Sequence, residues 1–456
     1  MATETATRPA ELGERRSSTR PGPALDGLPP GPRLPLAVQT ARLMARPVPF
    51  LEDCRRRFGE TFSARLLRAG RMVFISDPAS LKRLFSADRE NTLSPGRNAI
   101  LAPLLGRRSL LVLEGEDHMR RRRLMLPPFH GERMRAYETV MADAAEREVS
   151  EWPLDAPFRL HPSMQAITLE VILRAVFGVE DDRRRTELRR SLVAILSTTR
   201  SPLAIGLTIP GVRRLPAYRR MAAKVADADR LLFAEIAERR ADPGLAERSD
   251  ILSMLVAARF DDGSSMTDVE LRDQLMTLLL AGHETTATAL AWAFDLLFRA
   301  PDAFERVRAE VDGGGDAYLD AAVEETLRIR PVVPFVGRQL SSATELGGYM
   351  LPAATVVMPA IYLAHTRPEA FPDPYAFRPE RFLDGGPPTY SWVPFGGGTR
   401  RCIGAAFAQF EMRVVLRTIL SRARLAPASE GPERIVRRNV TLSPRDGTPA
   451  LLLERR

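Results

Sequence analysis

One glycine-rich segment constrains this chain more than any other, because it places a cysteine just before a predicted amphipathic helix. The segment reads Phe-Gly-Gly-Gly-Thr-Arg-Arg-Cys-Ile-Gly over residues 395–404. The 456-residue chain has only two cysteines, so Cys402 is not expected to belong to a disulfide framework. A thiolate here would face the positive end of the following helix and backbone N–H groups that the glycines leave open. These conditions favour a deprotonated sulfur that ligates a metal.

Two simpler interpretations compete with a metal ligand. A cysteine at the start of a helix is often a small buried apolar residue. A glycine-rich loop before a helix can also bind a phosphate. The phosphate interpretation fails because no Gly-Lys-Ser/Thr follows, and Arg401 stands where a dinucleotide-binding motif has its last glycine.

The spacing Phe-Gly-x-Gly-x-Arg-x-Cys-x-Gly resembles the haem-binding loop of the cytochrome P-450 family. The matching residues are Phe395, Gly396, Gly398, Arg400, Cys402 and Gly404. The resemblance implies that Cys402 is the axial thiolate ligand of haem b (iron protoporphyrin IX). Such a ligand pushes electron density towards the iron and favours O–O cleavage. The resemblance also implies that Phe395 packs beside the sulfur and that Arg400 contacts a haem propionate.

A second cluster lies inside a long apolar helix predicted over residues 266–299, where residues 281–286 read Ala-Gly-His-Glu-Thr-Thr. A glycine inside a helix costs about 1 kcal/mol relative to alanine, so Gly282 requires a reason. The Thr285 hydroxyl can bond back to the carbonyl of Ala281 and loosen the turn. These residues predict a local bulge with space for a small ligand, although a satisfied buried polar cluster is the alternative.

Beside the cysteine loop, this segment resembles the oxygen-activating helix of the same family. The resemblance implies that Glu284 and Thr285 relay protons to bound dioxygen, with the small residues Ala281 and Gly282 forming the space next to them. His283 occupies a variable position of the motif and is interpreted as a packing residue. Three further histidines are interpreted as structural: His130, His161 and His365.

A third motif, Glu325-Thr-Leu-Arg328, places its first and last side chains on one helical face. Alone, such a pair is usually solvated and contributes under about 1 kcal/mol. Together with Pro379-Glu-Arg-Phe382 it resembles the buried Glu-Arg-Arg triad of the family. Glu325, Arg328 and Arg381 are therefore expected to brace the fold beside the cysteine loop.

A fourth motif, His118-Met-Arg-Arg-Arg122, places its first and last side chains one helical turn apart. It resembles a family helix that reads aromatic-or-His-x-x-x-Arg, which implies that His118 and Arg122 bind haem propionates together with Arg400. Arg338 matches another propionate-binding arginine of the family. The alternative, an arginine-rich solvated face, is expected to hold for the three remaining arginines: Arg120, Arg121 and Arg123.

The predicted fold class is mainly α with small β-sheets (α+β). Helical patterns cover residues 115–150, 162–178, 182–200, 217–240, 266–299 and 317–329. Strands are predicted at residues 61–67, at 71–75, and at 440–453 around a turn at Arg445, and prolines exclude a helix over 365–382. The motifs follow the family's order, which implies one cytochrome P-450 haem domain over 28–456, with haem between the oxygen-activating helix and the cysteine-loop helix. Residues 1–27 are predicted to be a disordered tail.

Charge and hydropathy exclude several other classes of protein. The net charge is +9 and the pI is about 10.1, but acidic residues intersperse the arginines and no nucleic-acid-binding motif occurs. No run of 18 apolar residues and no signal-peptide core is present. The prediction is a cytoplasmic protein with no nucleic-acid partner and no transmembrane anchor.

The resemblance implies a haem-thiolate monooxygenase that inserts one atom of O2 into a lipophilic substrate, by hydroxylation or epoxidation. No flavin or ferredoxin module is recognised, so an external ferredoxin or other electron-transfer protein is expected to dock at the proximal face. The arginines expected there are Arg121, Arg123, Arg400, Arg401 and Arg413. The substrate pocket is expected to include Ile100, Leu101, Ile205, Val332, Val333 and Phe335. A peroxide-driven peroxygenase and a non-catalytic haem-binding protein remain as alternatives.

Overall fold

The structure of the protein is a computed structural model, and it describes residues 27–67, 70–86, 92–93, 101–199, 216–383 and 385–456. The predicted tail up to residue 26 lies outside these ranges. So do the predicted pocket residues Ile100 and Ile205.

Helices make up most of the described chain. In chain order they are α1 (Leu36–Ala45), α2 (Pro47–Phe58), α3 (Pro78–Ser86), α4 (Ala102–Leu105), α5 (Gly115–Met125), α6 (Glu138–Ser150), α7 (Leu160–Val171), α8 (Asp182–Thr199), α9 (Pro216–Ala241), α10 (Ile251–Ala257), α11 (Asp268–Phe298), α12 (Pro301–Asp312), α13 (Ala317–Ile329), α14 (Ile361–His365) and α15 (Ala405–Arg422). A π-helical segment, Ile172–Val176, extends α7. Five of the six predicted helical ranges match one helix, to within two residues at each end.

The sixth predicted range, residues 115–150, is wrong as a continuous helix. It is divided into α5 and α6 by two 3-10 segments, Pro127–Phe129 and Gly131–Tyr137. Two consecutive prolines remove backbone donors at the break, and Gly131 adopts φ +71, outside the right-handed helical region. The periodic pattern of apolar residues therefore continues across a point where the backbone cannot stay α-helical.

The strands form small sheets, as predicted. They are β1 (Thr61–Leu66), β2 (Gly70–Ile75), β3 (Thr92–Leu93), β4 (Pro157–Arg159), β5 (Arg338–Leu340), β6 (Thr344–Leu346), β7 (Tyr349–Leu351), β8 (Val356–Pro359), β9 (Ala423–Pro427), β10 (Ile435–Arg438), β11 (Thr441–Pro444) and β12 (Pro449–Arg455). The predicted hairpin β1–β2 is antiparallel, with Thr61 opposite Ile75. It belongs to a five-stranded sheet of order β1-β2-β8-β5-β3.

The two C-terminal strands form on either side of the turn at Arg445, but they belong to different sheets. Strand β11 pairs with β10, whereas β12 lies between β4 and β9. Gly447 and Thr448 have positive φ angles of 82° and 56°, and they turn the chain from one sheet to the other. Because β4 leads directly into α7, the pairing of β12 with β4 connects the end of the chain to the start of this helix.

Helix α11 runs through the main apolar core. It has 31 residues, about 46 Å at 1.5 Å per residue, and begins with a capping box formed by Thr267 and Glu270. Its side chains are buried over residues 271–279 and 286–298, whereas those between are mostly accessible. An internal space therefore faces the middle of this helix. Among the described residues, no helix is long and apolar enough to cross a membrane.

The predicted triad comes together at the end of α13. Glu325 and Arg328 have no exposed side-chain surface, and the guanidinium donates from Nε at 2.6 Å and from Nη2 at 2.7 Å to the two carboxylate oxygens. Arg381 Nε lies 3.4 Å from Glu325 Oε1. The other Arg328 donors reach the carbonyls of three downstream residues: His365, Pro374 and Ala376.

His365 connects this triad to the chain before the cysteine loop. Its Nδ1 donates to the carbonyl of Arg328 at 3.1 Å, and its Nε2 accepts from the N–H of Val393 at 2.7 Å. Burial, reinforced by the charge of Arg328, lowers the pKa of His365 to about 3. The imidazole is therefore neutral at pH 7, as a ring that both donates and accepts must be.

We expect Arg328→Leu to destabilise the protein by roughly 3–5 kcal/mol, because it leaves the Glu325 carboxylate buried without a cation. It should also abolish the haem uptake that the resemblance predicts. The exposed pair of Arg83 and Glu345 offers a matched control. Arg83→Leu should cost less than about 1 kcal/mol in the same urea titration. Wild-type stability and full haem content in Arg328→Leu would contradict the bracing role.

A second carboxyl group is buried where α11 packs against α15. Glu411 is 3% exposed, and the side chain of Thr286 hydrogen-bonds to it. Its Oε1 has no hydrogen-bond partner among the described residues. Loss of water raises the pKa of Glu411 to about 8, because the single bond from Thr286 only partly compensates. The folded protein therefore holds this carboxyl protonated at pH 7.

Because of the Glu411 carboxyl group, we expect the free energy of unfolding to fall as the pH rises. The unfolded carboxyl titrates near 4.5 and the folded one near 8, so the folded state binds the proton more tightly. Its contribution is complete below about pH 4.5 and decreases by about 1.4 kcal/mol per pH unit towards pH 8. Glu411→Gln should remove this decrease. Urea unfolding at several pH values between 5 and 8 measures it, and equal pH slopes for variant and wild type would contradict it.

Candidate active site

Cys402 lies in a short loop in front of α15. A 3-10 turn at Gly398–Arg400 precedes it, and α15 begins at Ala405. The backbone N–H of Cys402 donates to the carbonyl of Phe395 at 3.0 Å and closes the loop. Gly396 and Gly398 both adopt φ +67, in the left-handed region that disfavours side chains. Two of the motif's glycines are therefore required by the backbone conformation.

The Cys402 thiol is accessible although protein surrounds it. The residue is exposed, yet burial raises the pKa of the thiol, and the N–H of Gly404 and the charges of Arg122 and Arg401 oppose this only in part. A group that is both enclosed and accessible lines an internal space. By contrast, Cys54 is 2% exposed in an apolar cluster, where burial raises its pKa to about 12. Of the two cysteines, Cys402 is therefore the one that is suited to bind a metal.

Gly397 occupies a variable position of the motif, and the sequence offered no reason for it except that it is the middle of three glycines. A Cβ at this position would lie 2.4 Å from the ring of Phe85, which comes from α3. The buried Arg338 donates to the Gly397 carbonyl at 3.0 Å, and its guanidinium lies 5.7 Å from the centre of the same ring. Helix α3 and strand β5 therefore hold the loop from one side.

Arg400 holds the loop from another side. Its guanidinium donates to the carbonyls of Leu110, at 3.3 Å, and Leu113. The N–H of Leu110 in turn donates to Gln274 Oε1 on α11 at 3.0 Å. Because an arginine has five N–H groups, these bonds do not exhaust its donors. The loop is thus connected to α11 through the segment that precedes α5.

The predicted propionate-binding pair lies on α5. His118 is 3% exposed, and Arg122 is half-buried. Burial lowers the pKa of Arg122, the nearby Cys402 opposes the change, and Arg401 adds to it. Within the described ranges, no carboxylate forms an ion pair with Arg122. A half-buried cation beside the cysteine, without an anionic partner, fits a bound group that supplies a carboxylate.

Arg121 corrects one expectation. The sequence suggested that it is solvated and faces a redox partner, but it is 7% exposed and its Nη2 lies 2.5 Å from Glu270 Oε1. It also lies 5.1 Å from the ring centre of Phe260. The reason is that α5 packs against the capping box of α11, which no local pattern reveals. Arg123 and Arg401 are exposed, as predicted.

The middle of α11 contains the predicted hydroxyl bond. Thr285 Oγ1 donates to the carbonyl of Ala281 at 2.5 Å. The helix nevertheless continues without a break, so the predicted bulge is absent. A Cβ at Gly282 would meet Ile172 at an ordinary 3.5 Å, so packing does not require this glycine. The space beside Ala281 arises because the side chains are small, not because the backbone deviates.

Helix α7 binds the polar side chains of this segment. Gln165 Nε2 donates to Glu284 Oε2 at 2.6 Å, and His161 Nε2 lies 3.8 Å from Glu284 Oε1. His283 is buried, and its Nδ1 lies 2.9 Å from Thr168 Oγ1. Glu284 is therefore held at the interface of two helices, and His283 packs as predicted.

The described pocket residues lie in two places. Leu101 packs against the main core. Val332 is 8% exposed, and its carbonyl accepts from the N–H of Leu442 on β11 at 2.7 Å, whereas Val333 is partly accessible. Phe335 packs edge-on against Phe74, with ring centres 5.7 Å apart, in the cluster around β1 and β2. The four side chains are apolar, but they do not form one contiguous cluster.

Comparison with known proteins agrees with these observations. The family model described as "Cytochrome P-450" matches residues 27–448. Cytochrome P-450 135B1 of Mycobacterium tuberculosis is 44% identical, with 92% of this chain and 90% of the relative covered. Cytochrome P-450 137 of the same species is 40% identical over the same shares of the two chains.

Two solved structures have the same fold. Retinoic acid bound cyanobacterial CYP120A1 superposes with a TM-score of 0.80 at 26% identity, over 94% of this chain and 99% of that one. The cytochrome P-450DA haem domain superposes with a TM-score of 0.83 at 24% identity, over 94% and 98%. Members of this family bind haem b through a cysteine thiolate and act as monooxygenases. This chain belongs to the cytochrome P-450 family.

Proposed function

We propose that this monooxygenase inserts one atom of O2 into a lipophilic organic substrate, that the Cys402 thiolate would hold haem b, and that an external protein is the electron donor. One observation carries the residue assignment. The enclosed but accessible Cys402 lies beside Arg122, a half-buried cation without a carboxylate partner in the described residues. Cys402 can supply the sulfur that ligates a metal, and Arg122 can bind a carboxylate. Haem, which carries both an iron and carboxylates, matches the two residues.

The loop around Cys402 holds the sulfur in place. Its N–H bond to Phe395 and the N–H of Gly404 beside the sulfur orient the ligand. When haem is bound, Arg122 and His118, on one face of α5, would bind its propionates together with Arg400, and Arg338 would be a further partner. Arg338 and Arg400 also hold the loop through backbone carbonyls. The haem, when bound, supplies the redox chemistry that activates O2.

Glu284 and Thr285 handle protons. The Thr285 hydroxyl, which donates to the Ala281 carbonyl, is the group that would deliver protons to the space beside that residue. Glu284 is partly accessible, and Gln165 holds it at the edge of the internal space. In this relay the hydroxyl would release the Ala281 carbonyl, give its own proton to the space beside that residue, and take a replacement proton from the Glu284 carboxyl group. A peroxide-driven enzyme would not need this pair, which favours a reaction that uses O2 and external electrons.

The substrate class is inferred from the apolar character of the predicted pocket residues. Leu101, Val332, Val333 and Phe335 carry hydrocarbon side chains and no charge. The structural relative at 26% identity has retinoic acid bound, which is a lipophilic molecule. These observations support a substrate that is recognised mainly by burial of apolar surface.

The decisive experiment for this function is a spectrum of the reduced, haem-loaded protein under carbon monoxide. Thiolate ligation predicts a strongly red-shifted Soret band in the wild type. Cys402→Ala should lose the band, and the control Cys54→Ala should keep it, since Cys54 lies in the N-terminal apolar cluster. A band that survives in Cys402→Ala, or is absent from the wild type, would refute the assignment.

Electrons are expected to arrive through an acidic ferredoxin, with Arg123 and Arg401 as exposed contacts. The affinity should decrease by about tenfold or more between about 50 and 500 mM NaCl, because salt screens the attraction between exposed charges. Arg123→Gln should reduce this salt dependence, and the control Arg83→Gln on α3 should not. Affinity that is independent of salt would remove the electrostatic basis of docking.

A further inference from the structure

His161 lies where three parts of the molecule meet. It is 1% exposed in the first turn of α7, and its backbone N–H donates to the carbonyl of Gly447 at 3.0 Å. Its ring reaches both α11 and β10. Nothing in the sequence around residue 161 indicates such a position, since its ring contacts join residues that are more than 100 positions apart.

The partners of the ring determine which nitrogen carries the proton. Arg438 Nη1 lies 3.3 Å from His161 Nδ1. A guanidinium can only donate, so Nδ1 must accept and cannot carry a hydrogen. The proton of the ring is then on Nε2, and the Arg438 N–H group occupies the place that a hydrogen on Nδ1 would need. Arg438 therefore selects one tautomer of His161.

The Nε2–H group of this tautomer faces α11. It lies 3.2 Å from Thr288 Oγ1, within hydrogen-bond distance, and 3.8 Å from Glu284 Oε1. Gln165, one helical turn further along α7, donates to the other carboxylate oxygen at 2.6 Å. Two residues spaced i and i+4 on α7 thus face two residues spaced i and i+4 on α11. One oxygen of Glu284 thus accepts a hydrogen bond from Gln165, and the other lies close to the His161 N–H group that bonds to Thr288.

We propose that His161 is a positioning residue for Glu284, in the neutral tautomer that Arg438 imposes. This inference rests on the proposed function, in which Glu284 supplies protons to Thr285. Together with Gln165, the His161 N–H dipole keeps the carboxylate at the α7–α11 interface and prevents it from turning into the space beside Ala281. The carboxyl group of Glu284 then stays in one orientation at the edge of the internal space. Arg438, which is partly accessible, connects the arrangement to the protein surface.

The tautomer can be measured without turnover. The chain has five histidines, so 15N-histidine labelling of the reduced, carbon monoxide-bound holoenzyme gives few ring signals, and His161→Gln identifies those of His161. At pH 7 we expect a protonated Nε2 and an unprotonated Nδ1. Arg438→Leu should allow the other tautomer to appear. A wild-type ring that is protonated on Nδ1, or on both nitrogens, would overturn the proposal.

The functional role is tested in turnover with a substrate that is found by spectral screening. The measured quantity is the share of the supplied electrons that forms peroxide instead of product. Thr285→Ala sets the scale, because loss of a direct proton-transfer group costs roughly 100-fold or more. His161→Leu should decrease kcat by a smaller factor, roughly tenfold, and increase peroxide, with substrate affinity unchanged. His161→Gln, which keeps an N–H donor, should recover part of the loss. His130→Leu, at an exposed histidine, should change nothing.

Dependence on Glu284 separates positioning from general destabilisation. In a Glu284→Gln background, His161→Leu should cause no further increase in peroxide, because the carboxylate that it positions is gone. An unchanged peroxide share in His161→Leu, or an equal loss in the Leu and Gln variants, would refute the role of His161. The red-shifted band with carbon monoxide and product formation would still stand in that case. Their absence would refute the proposed function instead.

Discussion

Holding a glycine-rich loop still is the central physical problem of this fold. Glycines permit the left-handed backbone around Cys402, but they also lose the most conformational entropy on folding. The loop is therefore held from several sides. Cys402 bonds to the Phe395 carbonyl, Arg338 bonds to the Gly397 carbonyl, and Arg400 reaches the carbonyls before α5. Each contact joins a guanidinium or a backbone N–H group to a backbone carbonyl, and Arg400 is the loop side chain that takes part.

The buried ionisable groups around this loop are managed in two different ways. Glu325 is paired with cations, because the guanidinium groups of Arg328 and Arg381 lie against its two oxygens. His365 and Glu411 are instead buried in their neutral forms, with one pKa lowered and the other raised. Pairing of Glu325 with Arg328 leaves further arginine N–H groups that bond to the carbonyls of His365, Pro374 and Ala376. Neutral burial suits the contacts between helices, where a charge would have no partner.

A layer of polar side chains lies along the interface between α7 and α11. Gln165, Thr168 and His161 on α7 face Glu284, His283 and Thr288 on α11. The surrounding core is apolar, so each of these groups is costly to bury unless it is bonded. The layer lies directly behind the accessible middle of α11. It thereby combines a rigid helix contact with an ordered carboxyl group next to the internal space.

The sequence by itself determined what depends on neighbours along the chain. Periodicity located the helices, and i, i+3 and i, i+4 spacing predicted the pairing of Glu325 with Arg328 and of Thr285 with Ala281. The motif around Cys402 indicated the family because its spacing is local. Tertiary structure decided the rest: the burial of Arg121 against Glu270, the close approach of Phe85 to Gly397, and the tautomer of His161. These contacts join residues far apart in the chain, and their geometry exists only after the helices and strands have packed.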